Sequence, residues 1–248
     1  MLALVCVAAG CGGASQTTPP RPAAAATTGA VTYSNSPEDA GRLLKDTSSA
    51  VKAKVSPDLG VHFIMDSTST VAGKSADSQA EGDMVFPNRI KMTSQTLTGG
   101  QQAKVDLIMV NGQVYTRPGS GPWQAAATST AKPPDPAMLT SYLDFARSSR
   151  FFGQESLKGG LKTYHVQIDV DTALAAEEAE KNAGAPALKQ SLEATKSATV
   201  TVDLWIGIDD HLIYQENVKT VNAGQGSSSE LQFRFSSWGE PVQIKEPF

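Results

Sequence analysis

Cysteine is nearly absent from this chain. Two occur, Cys6 and Cys11, both close to the N-terminus of the 248 residues. The rest therefore has no disulfide, no thiolate nucleophile and no thiolate metal ligand. Histidine is scarce too. His62, His165 and His211 are scattered, without the H-x-x-x-H or carboxylate–histidine spacing that builds a zinc or iron site. A lone histidine in a strand reads as a surface or satisfied core residue. Positive charge is not in excess: 21 Lys and Arg stand against 25 Asp and Glu, for a net charge of −4. No basic surface is available to hold nucleic acid by its phosphates, and no Lys/Arg block suits anionic head groups. Missing as well are a G-x-S-x-G elbow, H-E-x-x-H, a P-loop and a glycine-rich dinucleotide turn. Asp209-Asp210 and Asp169-x-Asp171 read as a hairpin turn and a helix start rather than as catalytic pairs. The expectation is a non-enzyme with no catalytic residue, metal site or cofactor.

What is present begins with "VCVAAGCGGASQTTPPRPAAAATTGA". Residues 1–10 are apolar or small, and Ala8-Ala9-Gly10 directly precede Cys11, as a signal peptidase pocket requires. This pattern matches the bacterial lipobox, in which the cysteine sulfur receives a diacylglyceryl group. Residues 1–10 are thus expected to be an incomplete signal peptide, and Cys11 the lipidated residue. Gly12 to Asn35 is rich in Ala, Thr, Pro, Ser and Gly, with too little apolar bulk to bury. As a flexible coil of ~24 residues its ends lie roughly 27 Å apart. Residues 11–35 read as a lipidated tether and 36–248 as one folded domain.

That domain opens with a helix. Ser36 is placed to cap it, Pro37 to start it, and Glu38 and Asp39 to meet its dipole. Ala40, Leu43, Leu44, Thr47 and Val51 follow at helical spacing, and Ser56-Pro57-Asp58 ends the run. From Val61 the period becomes two, placing Val61, Phe63 and Met65 on one face. Gly73-Lys74 and Pro87-Asn88 turn the chain, the latter into a strand carrying Ile90 and Met92. In "KVDLIMVNGQVYTR", Asn111-Gly112 suits a two-residue type I′ turn. That turn sets Val110 against Gln113 and Met109 against Val114, so Val105, Leu107, Met109 and Val114 share a face.

A second helix is expected from Asp135-Pro136 through Ala146, with an apolar stripe of Met138, Leu139, Tyr142, Leu143 and Ala146. Tyr164, Val166, Ile168 and Val170 then share a strand face. A third helical region spans about 172–195, broken near Gly184 to Pro186, and strands follow over 198–208, 212–221 and 229–237. Val202, Leu204 and Ile206 form one face of the first of these, with Trp205 on the other. Strands in runs with helices between the runs give an α+β class. The architecture expected is a single curved antiparallel sheet forming a half-open β-barrel, its helices on the concave face.

Several stretches, in order, resemble the LppX/LprA/LprF/LprG family of actinobacterial envelope lipoproteins. They are the lipobox at Cys11, the "VDLIMVNGQVYTR…GPW" hairpin, "DPAMLTSYL", "TVDLWIGIDDHLIYQ" and the closing "FSSWGEPVQIKEP". The resemblance implies a fold like the LolA and LolB carriers, with a hydrophobic cavity for acylated lipids or glycolipids. It implies a protein anchored to the outer face of the cell membrane through Cys11, working with a membrane lipid exporter and without nucleic acid. A monomer is expected. The candidate lining is Phe63, Met65, Ile90, Met92, Leu107, Met109 and Val114, with Val166, Ile168, Val202, Leu204 and Ile206. Exposing lipid chains to water costs ~0.8 kcal/mol per CH₂, about 25 kcal/mol for two sixteen-carbon chains, so carriage across water needs such a cavity. Periodicity alone equally allows these residues to be a filled core. A protein-binding lipoprotein without a ligand, presenting Tyr33, Trp123, Trp205 and Trp238, is the other reading.

Overall fold

A computed structural model describes Tyr33 and residues 36–55, 59–110, 113–126, 143, 145–181 and 197–248. Cys11, the Asn111-Gly112 turn, the start of the helix expected from Asp135, and the second half of the third helical region lie outside the described residues.

Helix α1 spans Pro37–Lys54. Ser36 has extended backbone angles and its hydroxyl accepts from the Asp39 amide at 3.0 Å, satisfying one of the otherwise unpaired N–H groups of the first turn. Lys52 and Lys54 sit in the last turn, where the dipole favours cations. The buried face is the one expected from spacing: Ala40, Leu43, Leu44, Thr47 and Val51.

The strands are β1 (Leu59–Val71), β2 (Lys74–Val85), β3 (Arg89–Thr98), β4 (Gln101–Val110), β5 (Gln113–Pro118) and β6 (Gln124–Ala125), then β7 (Ala146–Ser156) and β8 (Lys162–Val170). Helix α2 (Thr172–Lys181) follows, and β9 (Thr199–Gly207), β10 (Ile213–Asn222) and β11 (Ser227–Pro241) finish the chain. All belong to one 11-stranded sheet in the order β6-β5-β4-β3-β2-β1-β11-β10-β9-β8-β7. Every pairing is antiparallel. Two meanders, β1–β6 and β7–β11, are thus stitched together by the long-range pair of β1 with β11. Short turns that tolerate positive φ build the meanders, as at Gly99 (57°) and Gly100 (81°) between β3 and β4.

The sheet does not close into a barrel. Its edge strands, β6 and β7, are not hydrogen-bonded to each other. β6 is only two residues long, and register shifts between Ala146 and Ser148 and between Phe151 and Gly153 interrupt β7's pairing, a geometry that bends an edge away from further pairing. Ala146, expected in a helix stripe, opens β7 instead. β11 is longer than expected, at 15 residues. Asn111-Gly112 is undescribed, but Val110 pairs with Gln113 and Met109 with Val114, as that turn requires.

Candidate functional site

The pairing register brings every residue expected to line a cavity to one face of the sheet. Val114 lies opposite Met109, Met109 opposite Ile90, and Leu107 opposite Met92. Ile90 pairs with Met84, and the same face continues across β2 and β1 through Gly82, opposite Phe63, and Ala80, opposite Met65. It crosses the β1–β11 seam to Phe235 and Phe233. Beyond Val218 it reaches Val202, then Ile168, with Leu204 beside Val166 and Ile206 beside Tyr164. Leu231, Phe233 and Phe235, not among the expected lining, share this face, and the alternation in "LQFRF" is their signal in the sequence.

This face has two parts. In one, Leu43, Leu44 and Val51 of α1 belong to a single cluster with Phe63, Val166, Ile168, Val202, Leu204 and Ile206, most of them fully buried. Ile90, Leu107, Met109 and Val114 form a second cluster that shares no buried member with the first. Met84 and Met92 are partly buried against both clusters and bridge them. Thioether side chains are unbranched and adaptable, suited to a seam whose contents vary. Toward the β1–β2 hairpin the face turns polar, with Ser67 opposite both Ser78 and Leu231.

Glu216, Thr220 and Asn222 alternate on this side of β10 and are buried, as is Thr47 of α1. Glu216 is 5% exposed and lies between Leu204 and Phe233 in the register. Thr47 on α1 is fully buried, and its hydroxyl has no hydrogen-bond partner among the described residues.

The opposite face is polar across β8, β9, β10, β11, β1 and β2, and carries a separate buried apolar cluster of Val85, Ile108, Val110 and Tyr115 with Ile244 packed on it. Gln167, Asp203, Asn217, Gln232, Asp66 and Gln79 face one another across successive strands. Gln167 donates to Asp203 at 3.1 Å, Gln232 to Asn217 at 3.1 Å and Gln79 to Asp66 at 2.8 Å. Asp106 is buried here at 8% exposure, accepting from Thr93 (2.8 Å) and from two nitrogens of Arg117 (2.9 and 2.7 Å). Burial pushes its pKa up, but the Thr93 and Arg117 hydrogen bonds and the Arg117 charge outweigh that and hold it below the usual carboxylate range.

The histidines and acid pairs are satisfied as expected. His165 stacks between Phe152 (4.6 Å) and Trp205 (4.4 Å), with Glu155 and Asp203 at its two ring nitrogens. Hydrogen bonds from Trp205 and His165 lower the Glu155 pKa. Asp171 caps α2 through the Leu174 amide at 3.0 Å, and Asp210 accepts from the Leu212 amide (3.0 Å) and the Tyr214 hydroxyl (2.7 Å).

Two of the aromatics that the protein-binding reading would present on a surface pack with the main cluster, Tyr33 as a buried member and Trp238 partly buried against it. Tyr33, expected in the tether, is 5% exposed and belongs to the main cluster, with its hydroxyl donating to Asp46 at 2.6 Å. Burial and that bond raise its pKa above the ordinary phenol range. Trp238 packs on Phe235, ring centroids 5.7 Å apart, and its indole nitrogen donates to the Ile213 carbonyl at 3.0 Å. Ser237, at φ 53°, sits in a bulge that interrupts the alternation and returns Trp238 to the core side.

Among solved structures, LprF from Mycobacterium bovis superposes with a TM-score of 0.54 at 18% identity, covering 86% of this chain and 99% of that one. The chain has the fold of LprF. The likeness read from the sequence thus holds at the level of fold. A LolA superfamily protein from Nitrosomonas europaea is also similar, with a TM-score of 0.25, 8% identity and coverage of 84% and 94%. The MucA/MucB complex of Pseudomonas aeruginosa aligns at a TM-score of 0.38 and 13% identity, over 83% of this chain and 59% of that one. No family model matches the chain, and no curated protein matches it in sequence.

Proposed function

We propose that the protein is a lipoprotein, acylated at Cys11 and held on the outer face of the cell membrane, that binds acylated lipids or glycolipids and carries them across the envelope without catalysing a reaction. The single observation behind this reading is the two-part apolar face. The buried face of α1 shares one cluster with Val166, Ile168, Val202, Leu204 and Ile206. The acyl chains are assigned to the second cluster, which shares no buried residue with the first and whose members Ile90, Leu107, Met109 and Val114 are 3–9% exposed, and to the methionine seam beside it. Each methylene buried there gains ~0.8 kcal/mol, so a few such residues hold a long chain firmly. The LprF-like fold supports the same reading.

Mass spectrometry of organic extracts from the protein, purified without its anchor from its own host, tests this. Lipid at near-equal stoichiometry is expected, and an extract matching that of an unrelated control protein rejects the carrier. The anchor has its own test, since Cys11→Ala should leave the membrane fraction; retention after a high-salt wash would refute lipidation there.

The second reading is an accessory lipoprotein that acts through protein contacts. It draws on the close packing of α1, which leaves the larger cluster a filled core. It requires lipid-free protein in the same extraction.

A further inference from the structure

The polar sheet face carries two grooves that the lipid reading does not use. One, of about 290 Å³, is bounded by His62, Glu81, Asp83, Lys91, Thr93 and Trp123. The other, of about 530 Å³, is bounded by Asp66, Thr68, Gln79, Gln95, Gln102 and Gln232. They are consecutive along the same strands. Asp83, Glu81, Gln79 and Asp77 of β2 follow one another on this face, opposite Lys91, Thr93, Gln95 and Leu97 of β3. Six steps of extended chain make this track about 20 Å long.

Its lining selects by chemistry. Acids outnumber bases along it, so a polyanion is repelled. Yet most of the carboxylates are already engaged: Asp83 with His62 at 2.9 Å, Asp77 with Thr68 at 2.8 Å, Asp106 with Arg117. Engaged carboxylates are weak attractors of a cation but remain good acceptors for hydroxyl groups. The glutamine amides between them supply donors and acceptors together. At one end stands Trp123, its ring stacked under the Arg117 guanidinium at 4.8 Å, which Asp106 in turn locks from below. The indole, held between Arg117 and the buried cluster of Ile108 and Tyr115, is thus a fixed apolar border beside a row of oriented polar groups, the pattern of a site for a ligand with an apolar ring edge and many hydroxyls.

We propose that this track binds a neutral oligosaccharide, one sugar ring resting against Trp123 and the rest hydrogen-bonded along Gln79 and Gln95. The test is calorimetric titration of the full chain with maltotetraose, cellotetraose, mannotetraose and chitotetraose, with tetralysine as a separate arm. At least one sugar should bind. Trp123→Ala and Gln95→Ala should each weaken it about tenfold, with Trp123→Tyr retaining most of the affinity. Gln95 is exposed, so its variant keeps the test valid even if Trp123→Ala loses stability. The proposal is overturned if none of the four sugars binds, if binding survives Gln95→Ala unchanged, or if tetralysine binds in a salt-sensitive manner and the sugars do not. Lipid extraction plays no part in these outcomes, so this site stands or falls apart from the carrier reading.

Discussion

Thr47 and Asp106 are both buried polar residues, and the structure treats them oppositely. The Thr47 hydroxyl sits on the packed face of α1 without a partner among the described residues. A buried polar group left unpaired costs on the order of 1–3 kcal/mol, and valine has nearly the same shape. Thr47→Val is therefore expected to raise the denaturation midpoint, with equilibrium unfolding as the measurement; a clear loss of stability would mean that the hydroxyl is satisfied in solution. Asp106 is fully served by Thr93 and Arg117, and its folded pKa lies below its unfolded one. Such a group stabilises the fold above the unfolded carboxylate value, about 3.9, and that contribution disappears as pH falls through the lower folded value. Stability measured from neutral pH downward should thus drop more steeply below about pH 4 in the parent than in Asp106→Asn. Parallel acid limbs would show that the pair contributes little.

At the scale of elements, β2 and β3 are held unusually close at Gly82. A Cβ there would lie 2.1 Å from the Lys91 carbonyl oxygen and 2.6 Å from the Met92 Cβ, so backbone would have to move. The approach sits on the apolar face beside Phe63, where β1, β2 and β3 meet the methionine seam. Gly82→Ala should cost about 1–3 kcal/mol, as overpacking does. Chemical denaturation reads the loss directly, and a variant as stable as the parent would show that the β2–β3 contact is looser than this geometry. Helix α1 shows the opposite case, an element whose ends and face are set locally by Ser36, the first-turn acids and the spacing of Leu43, Leu44 and Val51.

At the scale of the molecule, the division of the apolar face gives two substitutions opposite outcomes. Val202 is 1% exposed, in the same buried cluster as Leu43, Leu44 and Val51 of α1, between Ile168 and Val218. Val202→Trp should overpack that core and lower stability by about 1–3 kcal/mol. Leu107 lies in the second cluster, away from α1. Leu107→Trp should lower bound lipid sharply while costing less stability. Lipid stoichiometry and denaturant midpoint measured on the same preparations distinguish the two. Equal lipid loss in both variants would place the ligand under α1 instead, and no loss in either would favour the accessory reading.

By itself, the sequence determined which residues share a face, because strand alternation and helical spacing are properties of a few consecutive residues. Phe63 with Met65, Val202 with Leu204 and Ile206, the Met109–Val114 pairing and the α1 stripe all follow from that local periodicity. The capping roles of Asp171 and Asp210 were legible for the same reason. Which strands become neighbours was a tertiary decision. β1 pairs with β11 across nearly the whole chain, and no local pattern distinguishes that partner from any other apolar strand. The same holds for the open edges at β6 and β7, for the burial of Tyr33 in the main cluster, and for Trp238 returned inward by one bulge at Ser237. The two-part division of the apolar face belongs here as well, since it depends on where α1 comes to rest. Each was settled by burial summed over distant segments, a quantity that exists only once those segments have met.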